Sequence, residues 1–524
     1  MTVPTDSDAA RQHRLEVTDL RIEIDGQAVV RGSNFSITGG QRVCLLGESG
    51  SGKSLTAGAI LGHLPGNATA TGSVRVNGVE VLNVPPAKRP EAARVAAIFQ
   101  DSAVALNPMV RLQEQLIEPL RRHRGLSRRE ARSAAVELAH SVGLADAEAL
   151  LRRFSGELSG GQRQRVCIAM AMACATTVLV ADEPTSALDV VTQRRVLRVL
   201  KSYTRGEGAP AMLFITHDLA VAATLCHSSV VMSKGEIIDR GLLRPPVTPE
   251  AEATPAASAP KGRRTPAFSL SQVSRSYRRG VQGWPPRSTS TVALSPTTVT
   301  IDRGEQVGIV GVSGAGKSTL LRLMLALDTP DRGTITYDTH TITTRRLRRL
   351  RPFRRLVQYV PQDPASTLHP RMSVAALITE PLLRLKVPGD HDAAMLEALE
   401  LVGLDPSLRQ RRVAELSGGQ AQRVALARAI ATTPEFLLAD EPVSGLDVSL
   451  RQQVIAVLRR ICTQRGMGLV VVSHDLSVVA ELCDRTLVMH DSMIVEDRPT
   501  GDLMATPRHP HTRELLDAIP ARAS

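Results

Sequence analysis

The stretch Leu158 to Arg165 (LSGGQRQR) returns almost unchanged at Leu416 to Arg423 (LSGGQAQR), and this duplication constrains the fold more than any other feature of the chain. In each copy a Ser is followed three residues later by Gln, Ser159 with Gln162 and Ser417 with Gln420, which is the capping-box pattern and predicts a helix start. The pairs Gly160-Gly161 and Gly418-Gly419 fall in the first turn, where missing side chains let another backbone or a phosphate approach the free N–H groups. Four more features repeat in the same order. The separations run from 264 (Lys53 to Lys317) through 262 (Gln100 to Gln362) and 258 (Ser159 to Ser417, Asp182 to Asp440) to 257 (His217 to His474). A nearly constant shift over that span is a tandem duplication. The 524 residues are also too many for one ordinary core, so each copy is expected to be a domain.

Within each copy the chemistry sits at strand ends. A short apolar strand, Arg42 to Leu46, runs into Gly47-Glu48-Ser49-Gly50-Ser51-Gly52-Lys53-Ser54, and its twin is Gly311-Val312-Ser313-Gly314-Ala315-Gly316-Lys317-Ser318. Both are GxxxxGK[ST] phosphate loops: the glycines let consecutive N–H groups curl around phosphates, the Lys reaches the β and γ oxygens, and the Ser hydroxyl serves Mg2+. A second strand, Val95 to Phe99, ends at Gln100, placing an amide where open α/β sheets bind ligands. A third, Thr177 to Ala181, delivers Asp182-Glu183. Adjacent carboxylates closing an apolar strand call for a cation, so Asp182 reads as a Mg2+ partner and Glu183 as the base for a water attacking the γ-phosphate. A fourth, Met212 to Thr216, ends at His217. A lone His there reads as structural; its return as His474, beside Gln362 and Asp440-Glu441, makes both histidines site candidates.

Alternating apolar and polar residues at Leu15 to Ile24 and Gln27 to Ile37, joined by Asp25-Gly26, predict antiparallel strands. From Leu112 to Leu151 the pattern is helical, with Arg121, Arg122, Arg124, Arg128, Arg129 and Arg132 on an exposed side. Between Leu242 and Pro266 the composition shifts to Pro, Ala, Thr and Ser, giving domains over 1–241 and 267–524 with a linker over 242–266. The second copy carries two extras: Arg278 to Thr291, with the sole Trp284, reads as a loop insertion, and the arginine-rich Arg345 to Arg355 as a basic helical face.

A net charge of +12 suits nucleic acid, anionic lipid or phosphorylated ligands alike. Scarce aromatics argue against base-stacking platforms, so no nucleic acid is expected as a partner. The six cysteines show no CxxC spacing, and Cys167 and Cys174 read as helix core. The N-terminal stretch lacks an apolar signal core, and the longest uncharged apolar run, Val166 to Ala181, falls short of the roughly 20 residues a bilayer span needs.

Phosphate loop, Gln, LSGGQ, Asp-Glu and His in this order and spacing resemble the ATP-binding cassette ATPases, twice over nearly the whole chain. The resemblance implies two α/β P-loop NTPase cassettes, each with a RecA-like core, an antiparallel β subdomain and a helical signature subdomain. It implies ATP and Mg2+ as cofactors and an intramolecular head-to-tail cassette dimer with two shared sites. One site would combine Lys53, Ser54, Gln100, Asp182, Glu183 and His217 with Ser417, Gly419 and Asp447. The other would combine Lys317, Ser318 with Thr319 beside it, Gln362, Asp440, Glu441 and His474 with Ser159, Gly161 and Asp189. The two Gln, with the Ser and Asp of each set, are the implied metal ligands. Such cassettes stack adenine on an aromatic, for which Tyr277 is the candidate in the second copy; the first has Ile24 there.

The strings QDSAVALNP (Gln100 to Pro108) and QDPASTLHP (Gln362 to Pro370), and the tail PRHPHTRELLDAIP (Pro507 to Pro520), resemble those of importer ATPases for peptides and nickel. The resemblance therefore implies two integral-membrane permease subunits and an extracytoplasmic solute-binding protein as partners, and a peripheral place on the cytoplasmic face of the membrane. The alternative is a soluble twin-cassette ATPase acting on ribosomes or nucleic acid; such proteins have a long charged helical linker in place of the short Pro/Ala-rich one.

Overall fold

The computed structural model describes residues 13–519 except 49, 100–101, 186–187, 207, 244–265, 282–286, 343–349, 363, 445 and 447. Its contacts divide the described residues into two compact units, 13–243 and 266–519.

In the first unit, an antiparallel sheet has the order β2 (Gln27–Thr38), β1 (His13–Ile24), β4 (Ala68–Val76), β5 (Val79–Glu80). Its alternation slips once. Leu15 and Val17 are buried, and then Leu20 and Ile22, because Asp19 takes a left-handed backbone (φ 46°) and inserts one unpaired residue between them. The second unit repeats the device: Leu270 and Val273 are buried on either side of Gln272 (φ 49°). Counting onward from these bulges sets Ile24 and Tyr277 at the same strand position.

The larger sheet of the first unit has the order β6 (Val95–Ile98), β7 (Val178–Asp182), β8 (Ala211–Ile215), β3 (Arg42–Gly47), β9 (Ser228–Ser233), β10 (Glu236–Leu242). All neighbours are parallel except β9 and β10. Buried on both faces, β3, β7 and β8 are near-continuous apolar runs, the pattern parallel strands require. Helices Leu112–Arg124, Arg128–Ser141 and Gly160–Ala173 share one core with the edge of this sheet.

The second unit repeats the plan. Its antiparallel sheet runs β12 (Arg287–Asp302), β11 (Pro266–Val281), β14 (Arg332–Tyr337), β15 (His340–Thr341). Its larger sheet runs β16 (Val357–Val360), β17 (Phe436–Asp440), β18 (Gly468–Ser473), β13 (Gln306–Val310), β19 (Arg485–His490), β20 (Met493–Pro499).

Two sequence expectations need correction. Leu242 and Pro266, read as the ends of the linker, are the last residue of β10 and the first of β11. Residues 278–281 and 287–291 of the stretch read as a loop are strand: β11 and β12 continue as a paired ladder from Arg278↔Ser290 to Val281↔Arg287, because backbone pairing propagates along the Ser/Thr/Val-rich strand. Trp284 lies outside the described residues, as do residues 345–349 of the arginine-rich run; Arg351 to Arg355 of that run lie in a helix, Arg351–Leu356.

After β20, helices Thr500–Ala505 and Pro510–Ala518 close the chain. Glu496 of β20 holds this tail. It accepts hydrogen bonds from the N–H groups of Arg508 (3.0 Å) and His509 (3.1 Å), the Thr512 hydroxyl (2.6 Å) and Arg498 (3.2 Å). Burial alone would raise its carboxyl, but these donors outweigh that and hold it down to about 2. No helix among the described residues is long and apolar enough to cross a membrane.

Candidate functional site

The ends of β3, β7 and β8 lie side by side, so their C-terminal residues share one edge of the sheet, where parallel sheets carry ligand sites. The phosphate loop leaves β3. Gly52 is the N-cap of helix Lys53–Leu61 with a left-handed backbone (φ 100°), and Gly316 stands likewise (φ 99°) before Lys317–Met324. A Cβ on Gly316 would lie 2.4 Å from the Ala293 carbonyl oxygen, so both conformation and space demand glycine. Lys53 Nζ donates to the carbonyls of Gly47 (2.9 Å) and Glu48 (2.7 Å); Lys317 Nζ donates to those of Gly311 (2.7 Å) and Val312 (2.9 Å). Burial lowers the Lys53 ammonium, against the pull of Glu183 and Asp182. Gly47, Gly50, Gly311 and Gly314 also have positive φ, and Thr319 sits half-buried in the first turn of its helix.

Next along the edge, Asp182 ends β7 and Asp440 ends β17. Burial raises both carboxyls, while hydrogen bonds from Ser54 and Ser318 respectively pull them back. A buried carboxylate joined to a hydroxyl, beside a lysine and a second carboxylate, is a donor set that fits a hard divalent cation.

Glu183 and Glu441 follow. Each has a left-handed backbone, φ 44° and φ 48°, uncommon outside Gly and Asn and a mark of stored strain at sites. Each is pinned by its own N–H to the neighbouring strand, Glu183 to Ile215 O (3.0 Å) and Glu441 to Val472 O (2.8 Å). Each carboxylate accepts a hydrogen bond from a histidine Nδ1 at 2.9 Å, His217 in the first unit and His474 in the second. The Glu183 hydrogen bond raises His217 above its ordinary value, with burial opposing. His474 is also raised, although burial alone would lower it, because Glu441 outweighs burial. Burial would raise Glu441 in turn, yet His474 holds it low. Gln362 Nε2 donates to Glu441 at 2.8 Å. Gln100 and Asp447 lie outside the described residues. Ser444, which the sequence reading passed over, hydrogen-bonds Glu441 as well; its signal is its place three residues after Glu441 in a tight turn.

The signature stretches form the expected helix starts. Ser159 caps Gly160–Ala173 and Ser417 caps Gly418–Ile430, each through a reciprocal bond pair with Gln162 (3.3 and 3.1 Å) or Gln420 (3.3 and 3.0 Å). A Cβ on Gly160 or Gly418 would meet nothing within 4 Å. The first turns of both helices therefore leave their N–H groups open to approach. Gly161 and Gly419 instead face Leu188 and Leu450 at 3.3 and 2.8 Å from such a Cβ. Asp189 caps helix Val190–Tyr203 by accepting from Thr192 N–H (2.9 Å).

Tyr277 is 37 % exposed, donates its hydroxyl to Asp328 (2.7 Å), and has the Arg275 guanidinium 5.0 Å from its ring centre. The site brings Lys, Ser, Asp, Glu and His together in both units. This arrangement can hold phosphates and a cation and carries a base to activate water.

The family profile described as ABC transporter matches the chain twice, at residues 30–186 and 294–444. The peptidoglycan transport ATP-binding protein YejF of Agrobacterium fabrum is 37 % identical over 93 % of this chain and 92 % of its own length. An uncharacterized ABC transporter ATP-binding protein YejF of Escherichia coli is 35 % identical over 94 % and 96 %. The glutathione import ATP-binding protein GsiA of Escherichia coli is 36 % identical over 94 % and 86 %.

Proposed function

The chain belongs to the ABC transporter family, with an ATP-hydrolysing cassette in each half, and from that premise we propose that it drives import of peptides or a related small solute through a membrane permease. The observation that carries the reading is the doubled hydrolytic constellation: in both units a strained glutamate is held by a histidine at 2.9 Å at the sheet edge reached by the phosphate-loop lysine.

In the proposed mechanism the loop N–H groups and Lys53 or Lys317 cradle the phosphates of ATP. Ser54 with Asp182 and Gln100, and Ser318 with Asp440 and Gln362, would hold Mg2+, which would supply positive charge against the charge that develops on the phosphates. Glu183 and Glu441 accept the proton of the attacking water, and His217 and His474 orient those carboxylates and favour their ionised form. In the same reading the N–H groups at the starts of helices Gly160–Ala173 and Gly418–Ile430 would serve the γ-phosphate bound by the opposite cassette, a role that the open space beside Gly160 and Gly418 permits. Nucleotide thus holds the two cassettes together head to tail, and hydrolysis releases them.

The import reading rests on relatives with transport and import names that match over most of both lengths, and on the tail anchored by Glu496. Met109, 82 % exposed in the segment after Gln100, supports permease docking there. A peripheral place on the cytoplasmic membrane face, with a solute-binding protein outside, follows from the same reading. Glu183→Gln combined with Glu441→Gln is expected to abolish turnover and retain ATP; brisk hydrolysis by that double variant overturns the roles given to both acids.

A further inference from the structure

Away from the phosphate loop, at the opposite end of β3, the first unit has a cavity of about 970 Å³ between the start of that strand, the end of helix Val190–Tyr203 and the residue before β9. Its charged lining is entirely basic: Arg42, Lys201, Arg205 and His227, with the Thr204 hydroxyl and the Gly40 turn between them. No acidic side chain lines it among the described residues; Glu207 lies outside them. Arg42 is only 5 % exposed. Its guanidinium donates to the carbonyls of Leu225 (2.6 Å) and Thr204 (3.2 Å) and meets His227 Nε2 at 2.8 Å. Burial pushes Arg42 below its ordinary range and Arg205 adds to the push; burial, Arg42 and Lys201 do the same to His227.

The charge balance is one-sided. The C-termini of helices Val190–Tyr203 and Leu219–Leu225 supply roughly −0.5 charge each. Against Arg42, Lys201 and Arg205 that leaves about two positive charges, and among the described residues no carboxylate pairs with any of the three. The equivalent corner of the second unit is built differently. Backbone bonds fix the correspondence: Met212 N–H to Gln41 O matches Leu469 N–H to Glu305 O, and His227 N–H to Arg42 O matches Asp484 N–H to Gln306 O. Gln41, Arg42 and His227 are thus replaced by Glu305, Gln306 and Asp484. The cation present there, Arg485, is bound by Glu305 (3.1 Å) and Asp497 (2.6 Å). One corner neutralises itself, and the other leaves its charge facing a cavity.

We propose that this cavity binds a small phosphoryl anion, at a site separate from the ATP site and present in the first cassette alone. The exposed ammonium of Lys201 and guanidinium of Arg205 at one space match the oxygens of a phosphate or diphosphate group, with the buried charge of Arg42 beside them. The ligand sits at the far ends of the two helices that begin at Asp189 and Asp218, next to the hydrolytic site. The test is calorimetric titration of inorganic pyrophosphate, without Mg2+, into the full chain and two variants. Binding is expected to persist in Lys53→Ala with Lys317→Ala, and to weaken at least roughly tenfold in Lys201→Ala with Arg205→Ala. The latter variant keeps wild-type thermal stability and ATP turnover, and the swap Lys201→Arg with Arg205→Lys restores binding. Pyrophosphate binding that disappears in the phosphate-loop variant and survives unchanged in the cavity variant overturns the proposal. Equal affinity for citrate in the phosphate-loop variant overturns the assignment to phosphoryl ligands.

Discussion

The two cassettes of this chain share one strand plan and are alike in detail where they would touch phosphate, but they differ in the side chains that fill their cores. Both glutamates share a left-handed backbone and a 2.9 Å histidine bond, and both signature helices share the same cap. In the cores the copies have diverged in compensating pairs. Val178 stands beside Ala211 in the first sheet where Phe436 stands beside Gly468 in the second. Cys44 shares a core with Ala222, whereas Gly308 leaves room for Val479, whose Cγ1 would lie 2.1 Å from a Cβ there. Packing tolerates exchange as long as volume is conserved; the phosphate-binding geometry admits no such trade, because it is set by backbone and hydrogen-bond directions.

Four measurements break or sharpen that comparison. The largest effect is expected from Glu183→Gln and Glu441→Gln made singly: each lowers ATP turnover by roughly a hundredfold, about 2.7 kcal/mol, and by the same factor if the sites work as one cycle. A loss of only half in each would show independent sites. Next, Gly468→Ala places a Cβ 2.2 Å from Phe436 Cε1 and is expected to destabilise the second unit by about 2–3 kcal/mol in denaturant unfolding. Adding Phe436→Val, the first unit's solution, restores most of that; failure to rescue means the pair is not the compensation it resembles.

The third concerns pH. His474 is raised above its ordinary 6.5, so its contribution to stability is complete below 6.5 and lost as pH rises through its folded-state value. Glu441 is depressed below its ordinary 4.5, so its contribution is present above 4.5 and lost as pH falls through its folded-state value. The stability difference between wild type and His474→Gln should therefore be greatest between those values and shrink above 6.5, and the difference for His217→Gln in the first unit should likewise shrink as pH rises above 6.5. A difference that grows with alkaline pH contradicts the charged pair. The smallest effect is at the adenine position: Tyr277→Ile is expected to weaken ATP binding at the second site by about 1 kcal/mol, and Ile24→Tyr to strengthen the first, read by nucleotide titration.

The sequence by itself determined the duplication, the phosphate loops, the capped signature helices and the acid-bearing strands. Each of these depends on local geometry that only certain residues provide: glycine at φ near 100°, serine and glutamine at a helix start, an apolar run ending in carboxylates. Tertiary structure alone decided the rest. The glutamate–histidine bonds join residues 34 and 33 positions apart, and the tail motif acquires meaning only when Glu496 of β20 collects its donors. The pairing of residues 278–281 with 287–290 exists because two strands find each other, which alternation within one strand does not announce. The basic cavity is the clearest case: Arg42, Lys201 and His227 are ordinary residues in sequence, and the burial of Arg42 beside helix ends, with no acid partner among the described residues, is a property of the folded chain.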